Sequence, residues 1–229
     1  PAPDLATVTR ALAAFQRSLI SVGSAYDRAK RGGEPEAMSP AARRGEALFF
    51  DHRLECYHCH GGLHFTDNRQ TARSRFSESA YHNTGLYNLD GTGAYPAFGK
   101  GLAEITGRPE DLGRFRTPSL RNVAVTAPYM HDGSVATLSE AIAHYAAGGR
   151  TIAQGPHAGV GAASPRKSGL LRGFTLSDAE KADLIAFLES LTDEGFLVDP
   201  AFADPWPEDH PASVDRRPVA ITQPRKFRP

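Results

Sequence analysis

The residue types best suited to cofactor chemistry lie together in the segment Cys56-Tyr57-His58-Cys59-His60. Two thiols separated by two residues and followed at once by a histidine form the attachment pattern of c-type haem. Their order fits the chemistry, because two thiols add across the two vinyl groups of the porphyrin and the histidine then reaches the iron. The motif therefore predicts one covalent haem c held by Cys56 and Cys59, with His60 as an axial ligand of the iron.

Three other uses of the two cysteines fit the sequence less well. A redox-active dithiol of the thioredoxin type is expected in a βαβ context, which the sequence pattern does not show. A zinc site drawn from Cys56, from His64 and from the adjacent pair at positions 59 and 60 would need that pair to converge on one small ion. The chain also has no second cysteine pair, which a zinc site of this kind normally uses. A purely structural cysteine pair is the weakest of the three interpretations.

The opposite axial position of the iron has many candidates. They are Met38, Met130, Tyr145, His52, His58, His64, His82, His131, His144, His157 and His210. Met130 is a natural choice, because His/Met ligation is common in cytochromes c. Helical periodicity favours Tyr145 instead, since it follows Leu138 and Ile142 on one inward face. The same periodicity also fits a plain core tyrosine, so the residues alone leave this choice open.

Several other candidates are disfavoured by their position. Met38 precedes the attachment helix on a charged segment and is expected to be an ordinary loop residue. His58 lies inside the attachment loop, while His52 and His64 are too close in sequence to the attachment point to reach the opposite face easily. His144 is about 100° away from the inward stripe of its helix and is expected to face a seam or solvent.

The first elements that must position the motif are two helices. Asp4 precedes an apolar spacing that predicts a helix from about Leu5 to Leu19. A charged, glycine-containing loop is expected from Asp27 to Glu36. Ser39 and Pro40 then predict the start of a second helix, which runs through residue 50 into the cysteine motif.

Two capping signals predict the later helices. Thr137 and Glu140 form a capping box for a helix that ends near Ala147. Thr175 and Asp178 repeat the device before a helix whose buried face is expected to hold Leu184, Phe187, Leu188 and Leu191. Residues 61–127 are rich in turn formers and are expected to be mostly irregular around the haem, with a short helix near 108–112.

These elements predict an all-α, cytochrome c-type haem domain with long irregular loops. We expect an N-terminal helix and loop over residues 1–36, which pack on the haem domain or on a missing N-terminal domain. The haem domain is expected over 37–195 and an extended, proline-rich tail over 196–229.

Composition excludes several classes of function. The 229 residues are 40% apolar and 9% aromatic, which supports one large domain with a packed core. The 26 acidic and 26 basic residues balance, so electrostatic binding to nucleic acid or anionic membranes is not expected. No apolar run approaches the roughly 18 residues of a membrane span. Thioether formation takes place outside the cytoplasm, so the haem predicts a periplasmic protein, and the start at Pro1 is typical of a processed or trimmed product.

Two strings downstream of the cysteine motif carry a family resemblance. They are FRTPSLRN at residues 115–122 and TAPYMHDG at residues 126–133. With the haem motif and the capped helix, they resemble the C-terminal haem domain of bacterial di-haem cytochrome c peroxidases and MauG proteins over about residues 5–195. Peroxidases carry Met as the sixth ligand in the helix after the second string, whereas the MauG/MbnH branch carries Tyr. The matching residue here is Tyr145, so the resemblance is closer to the Tyr-ligated branch.

The resemblance implies further cofactors and partners. The backbone carbonyls of Thr126 and Pro128 match ligands of a calcium ion between two haems, and an Asn of the N-terminal domain completes that set. The second haem, in the N-terminal domain, binds peroxide. The Tyr145-ligated haem then stores an oxidising equivalent that acts at long range on a residue, typically Trp, of a partner protein.

The chain also departs from the family pattern. It has one CxxCH motif, and its one tryptophan, Trp206, lies in the tail rather than between two haems. The resemblance therefore implies the electron-storing half of a MauG-like enzyme, with the peroxide-binding half missing from this chain. The alternatives are an ordinary di-haem peroxidase that takes electrons from a small cytochrome, and a mono-haem electron carrier without catalysis.

Overall fold

The computed structural model describes residues 3–69 and 80–206, and these ranges are built mainly of helices. The helices are α1 (Leu5–Ser18), α2 (Ala25–Arg31), α3 (Pro40–Phe49), α4 (Ala103–Thr106), α5 (Leu138–Ala146), α6 (Asp178–Glu189) and α7 (Glu194–Leu197). Two antiparallel ladders pair β1 (Tyr81–His82) with β2 (Phe115–Arg116) and β3 (Thr151–Ile152) with β4 (Gly159–Val160). Each strand has two residues, so the ladders pin loops together and the core is helical. The helix-rich class is confirmed, and no helix in these ranges is both long and apolar enough to cross a bilayer.

Side-chain caps start most of the longer helices as the sequence predicts. The Asp4 carboxylate accepts from the Thr7 amide at the start of α1, and Ser39 caps α3. Thr137 and Glu140 form the predicted reciprocal box at α5. The capping box at α6 begins two residues later than predicted. Its cap is Ser177 with Glu180, whose longer side chain reaches back to the Ser177 amide at 2.8 Å.

The predicted loop from Asp27 to Glu36 is wrong over its first part, which belongs to α2. Ser24 caps this short helix, and its hydroxyl and amide both donate to the Asp27 carboxylate. Tyr26 packs against the helical core, and its amide donates to the Ser190 carbonyl. A seven-residue helix is marginal alone, so these tertiary contacts are what hold it.

The main core lies between α3, α5 and α6. Its buried members are Met38, Ala42, Phe49, Leu54, Phe65, Val123, Ile142, Leu184, Phe187, Leu188 and Leu191. All four residues predicted for the buried face of the last long helix and its end are therefore buried. Phe49, Phe65 and Phe187 contact one another in tilted and edge-to-face ring contacts, and Tyr26 contacts the last two of these rings. Met38 lies in the loop before α3 as expected, but it is 1% exposed and packs in the main core.

Close approach of α3 and α6 depends on one glycine. A Cβ at Gly45 would collide with the backbone oxygen of Asp183 in α6, so a side chain there would push the helices apart. Arg44 adds a bidentate contact to the Asp183 carboxylate, with both N–O distances at 2.7 Å. The packing of α6 on α3 thus holds the segment that leads into the cysteine motif.

A second, smaller core is the tyrosine cluster of Leu86, Tyr87 and Tyr95. The Tyr87 hydroxyl donates to the Asp132 carboxylate at 2.7 Å, and the Arg150 guanidinium lies 4.5 Å from the centre of the Tyr87 ring. Unlike the main core, this cluster satisfies its own polar groups within the fold.

The two ends of the described chain differ from the predictions in exposure and shape. Helix α1 contains no buried residue. The predicted extended tail starts with helical turns, α7 and a short 3₁₀ turn at Pro200–Phe202. A 3₁₀ turn at Pro109–Asp111 matches the short helix expected near residues 108–112. The rest of the predicted tail, 207–229, lies outside the described residues.

Candidate functional site

The cysteine motif lies in a tight turn directly after α3. Buried Leu54 anchors the segment, and Glu55 takes a left-handed backbone conformation with φ of 55°. Cys56 starts a 3₁₀ turn and packs against the main core, while the His60 amide donates to the Cys56 carbonyl at 2.9 Å. The two cysteines form no disulfide, and the turn presents both sulfur atoms and the following imidazole together.

His60 is oriented by a backbone acceptor. Its Nδ1 lies 3.1 Å from the Phe65 carbonyl oxygen, which can only accept, so Nδ1 carries the proton and donates. Burial lowers the pKa of His60 and keeps the ring neutral. The lone pair of Nε2 is therefore left for a metal, which is the usual arrangement of a metal-binding histidine with its second nitrogen held.

The two thiols are protonated at neutral pH. Burial raises the pKa of Cys56 to about 12 and the pKa of Cys59 to about 11. A thioredoxin-type dithiol needs a thiol with a lowered pKa, so these values argue against the redox-dithiol interpretation.

The structure brings Tyr145 to the cysteine motif. On α5 it shares the inward stripe of Leu138 and Ile142, which pack in the main core. Burial, with smaller contributions from the nearby Cys59 and Cys56, raises the pKa of Tyr145 to about 12. Within the part of the chain that the structure describes, its hydroxyl has no hydrogen-bond partner. A half-buried phenol near the two thiols, with no hydrogen-bond partner among the described residues, is available as an axial ligand at this position.

Met130 lies in the other core. It packs against the tyrosine cluster and has a left-handed backbone with φ of 68°. The remaining histidine candidates are held elsewhere or exposed: His52 bonds Tyr57, His58 faces Glu55, His64 is exposed, His82 pairs with Asp67, His131 stacks on Phe115, and His157 contacts Tyr87. His210 lies outside the described residues.

This chain is similar to several known proteins. Cytochrome-c peroxidase IdrP1 of Denitromonas iodatirespirans is 34% identical over 215 residues, which cover 83% of this chain and 50% of that protein. Methylamine utilization protein MauG of Methylophilus methylotrophus is 36% identical over 186 residues, covering 80% and 46%. The crystal structure of a MauG-like protein associated with microbial copper homeostasis is 53% identical, with a TM-score of 0.83, and the match covers 89% of this chain and 58% of that chain.

The chain belongs to the family of bacterial di-haem cytochrome c peroxidases and MauG proteins. It spans about half the length of the curated relatives that it matches. No protein-family model matches it. Membership in this family implies covalently bound haem c.

The residues of this family member fit such a haem. Cys56 and Cys59 supply the two thiols that thioether bonds need, Nε2 of His60 carries the lone pair in the tautomer that Nδ1 and the Phe65 carbonyl set, and the hydroxyl of Tyr145 has no partner among the described residues. The donor set suits iron in a porphyrin better than zinc. Cys59, Asp67 and His82 have ligand atoms within 4.8 Å of one another, but these are three donors rather than the four of a structural zinc site. The predicted zinc set around His64 is not brought together in the described ranges.

His144, next to Tyr145 on α5, is buried rather than exposed. It is 7% accessible, and neither ring nitrogen meets hydrogen-bond geometry with a partner in the described parts of the chain. Burial lowers its pKa to about 4, while the nearby Thr84 backbone oxygen acts in the opposite direction. We expected His144 to face either a seam or solvent. The expectation of solvent is wrong, because the structure shows a neutral imidazole at an internal seam.

The expected calcium ligands lie at the surface. Thr126 and Pro128 are both exposed, and the Thr126 hydroxyl donates to the Val123 carbonyl at 3.1 Å. Within residues 3–69 and 80–206 no group donates to the backbone oxygens of these two residues. Two carbonyls that face outward can bind a cation only with ligands from elsewhere.

Sequence reasoning missed a buried ion pair that supports the site. Arg121 holds the Asp27 carboxylate with two nitrogens, at 2.7 and 3.0 Å, and also donates to the Leu63 carbonyl. Both side chains are nearly inaccessible, at 7% and 4%. The pair ties α2 to the loop just after the haem motif. The only sequence signal was the arginine inside the FRTPSLRN string, which does not name its distant partner.

Proposed function

We propose that this chain is the electron-storing half of a MauG-like di-haem oxidoreductase. His60 and Tyr145 would be the axial ligands of its covalent haem c, which Cys56 and Cys59 would hold. The enzyme would use peroxide to oxidise a residue of a partner protein, and we propose that this residue is Trp.

One observation carries this proposal. The half-buried side chain of Tyr145 lies near the two thiols, while Met130 packs against the tyrosine cluster. In the family resemblance, the identity of this ligand separates Tyr-ligated MauG proteins from Met-ligated peroxidases. The MauG relative and the MauG-like structure support the same branch.

The chain's own residues explain the ligand roles. Bound haem c would supply the redox-active iron. Nδ1 of His60 keeps its proton and donates it to the Phe65 carbonyl in a hydrogen bond, so Nε2 can offer its lone pair to the iron as a neutral ligand. Tyr145 must give up its proton to bind as phenolate, and the resulting negative charge stabilises the more oxidised states of a bound metal. A thioether such as that of Met130 carries no charge, so His/Met ligation favours a higher potential.

The rest of the enzyme enters the proposal as partners. A peroxide-binding haem domain would face this chain, with calcium held between the two through the carbonyls of Thr126 and Pro128. Hard oxygen donors suit calcium, and its six to eight ligands exceed what two carbonyls provide, so the other domain and water would complete the set. Thioether formation would place the protein in the periplasm.

The alternative is an ordinary di-haem cytochrome c peroxidase. The similarity to cytochrome-c peroxidase IdrP1 favours it. A peroxidase would pass electrons from a small cytochrome to peroxide and would need no protein substrate.

The deciding experiment compares Tyr145→Phe with Met130→Leu in the haem-loaded holoprotein. Tyr145→Phe removes only the donor atom and should change the ferric optical and EPR spectra, whereas Met130→Leu should leave both unchanged. The reverse result would assign the ligand to Met130 and the function to a peroxidase or electron carrier. Peroxide-dependent oxidation of a partner tryptophan, compared with oxidation of a reduced small cytochrome, then separates the two enzyme classes.

A further inference from the structure

The first helix presents an apolar stripe that nothing in the described chain buries. Its members are Leu5, Val8, Leu12, Phe15 and Leu19, with exposures of 82, 42, 58, 52 and 38%. The stripe is about 21 Å long at 1.5 Å per residue. Its one aromatic contact is from Phe15 to Phe202, with ring centres 6.4 Å apart. A one-sided stripe of this length is typical of a helix that packs against another element.

The apolar surface continues toward the haem motif. After α1, Ile20 and Val22 are 65 and 48% exposed. They line a cavity of about 450 Å³ that also reaches His64 and Ser119. His64 lies four residues after the predicted iron ligand His60, and its carbonyl accepts from the Ser119 hydroxyl at 2.6 Å. A body that covers the helix stripe and this cavity would therefore lie beside the attachment loop.

The length of the family's proteins indicates what that body is. The matched segments cover only 50 and 46% of the two curated relatives, so such proteins contain about as many residues outside the match as within it. A unit of that size can bury a stripe of five apolar side chains, and a position beside the attachment loop suits a unit that exchanges electrons with the haem.

We propose that the α1 stripe, together with Ile20 and Val22, is the docking surface for the second haem domain of the enzyme. The proposal rests on the proposed function, because it takes a two-haem enzyme as given. It adds that α1 packs on the other haem domain and not on the domain that holds Cys56. In the sequence-based expectation, both arrangements were open.

A first test needs no substitution. Oxidative footprinting of the purified holoprotein measures side-chain labelling, with Phe98 and Ile105 as internal controls because they are 61 and 84% exposed. We expect Leu12 and Phe15 to be labelled at least fivefold less than these controls after correction for intrinsic reactivity. Equal labelling would overturn the proposal, since it would show the stripe open to solvent in the complete protein.

A second test identifies the occupant. Leu12→Asp puts a charge in the stripe, and Ala14→Asp puts the same charge on another face of the same helix as a matched control. We expect Leu12→Asp to slow electron exchange between the two haems at least tenfold and to let proteolysed haem domains separate on size exclusion. Ala14→Asp should behave as the unsubstituted protein. If Leu12→Asp fails to fold, Phe15→Ala is the milder replacement, with a smaller change in the same direction.

Each other outcome decides against the proposal. Unchanged haem-to-haem exchange in folded Leu12→Asp would show that the second haem domain docks elsewhere. A dimer that Leu12→Asp converts to monomers with coupled haems would assign the stripe to a second copy. Failure of the proposed function appears separately, since the Tyr145→Phe spectra report the axial ligand whether or not the domains dock through α1.

Discussion

The main core and the tyrosine cluster are built on opposite principles. The main core is apolar, joins Phe49, Phe65 and Phe187 by ring contacts, and touches Cys56 at its edge. The tyrosine cluster has three buried members, and the phenol of its Tyr87 is bonded within the fold. The main core thus has an apolar edge at which a large flat cofactor can pack, whereas the tyrosine cluster is complete without one.

This difference explains the choice between two ligands that are 15 positions apart. Tyr145 follows residues of the main core along α5, while Met130 belongs to the tyrosine cluster. Only the first of these cores contacts the haem motif. The position of Tyr145 near the two thiols, compared with that of Met130 against the tyrosine cluster, is what favours Tyr145 over Met130 as the ligand.

The largest effect is expected where the main core meets the cofactor. The double change Cys56→Ala and Cys59→Ala should abolish covalent haem attachment and make residues 80–127 sensitive to protease, because the predicted wrap loses its centre. Haem staining after denaturing electrophoresis and far-UV circular dichroism measure the two effects. A compact, protease-resistant protein without haem would show that the main core is sufficient by itself.

Of the two ligand candidates, only Tyr145 should change the haem when it is replaced. We expect Tyr145→Phe to raise the midpoint potential of the haem and to change its ferric spectrum, because a negatively charged donor is lost. Met130→Leu keeps a similar volume in the tyrosine cluster and should leave the potential unchanged. Spectroelectrochemical titration of both variants provides the comparison.

Cavities in the two cores should have different consequences for the haem. Phe187→Ala should cost about 3–5 kcal/mol of unfolding free energy and disturb the haem spectrum, because the ring packs in the core that touches Cys56. Leu86→Ala should cost about 2–5 kcal/mol without a spectral change. Urea unfolding and the optical spectrum test both statements. A spectral change in Leu86→Ala alone would reverse our assignment of the cores.

Removal of the buried ion pair should loosen α2 from the attachment loop. Arg121→Leu leaves the Asp27 carboxylate buried without its cation, and we expect a loss of about 3–5 kcal/mol in unfolding free energy. Arg44→Ala, at an exposed pair, should change the unfolding free energy much less and is the matched control. Urea unfolding of the haem-loaded variants at pH 7 measures both.

The same pair should give a defined acid dependence. Burial alone would raise the pKa of Asp27, but the bonds from Arg121 and Ser24 hold it below the ordinary value of 3.8. A lowered folded pKa means that the stabilisation is present above pH 3.8 and is lost as the pH falls through the folded pKa. The difference between unsubstituted protein and Arg121→Leu should therefore shrink below about pH 4. A difference that stays constant to pH 2 would contradict the assignment.

The smallest effect is expected from one hydroxyl in the tyrosine cluster. Tyr87→Phe removes one donor to the Asp132 carboxylate, which keeps the Ser134 amide at 3.0 Å and a longer contact to Arg150 at 3.5 Å. We expect a loss of about 1–3 kcal/mol in unfolding free energy, with the haem spectrum unchanged. Loss of the spectrum would show that the tyrosine cluster takes part in haem binding.

The sequence by itself determined the features whose cause is local. The order of Cys56, Cys59 and His60 specifies haem chemistry because the reacting atoms come from consecutive residues. Asp4 and Ser39 announce helix starts because a cap bonds an amide only a few residues away. Even the α6 stripe is local, since a period of 3.6 residues repeats within four turns.

Only the tertiary structure decided which distant groups meet. Asp27 and Arg121 are 94 positions apart, so no spacing rule connects them, and without that contact α2 was predicted as a loop. The burial of Met38 and His144 and the separation of Met130 from the haem motif likewise depend on which core each segment joins. α1 shows the converse: its stripe was evident from periodicity, but only packing shows that this chain leaves it uncovered. Local signals act over one or two turns of chain, whereas the choice of a packing partner is made by the free energy of burial over the whole fold.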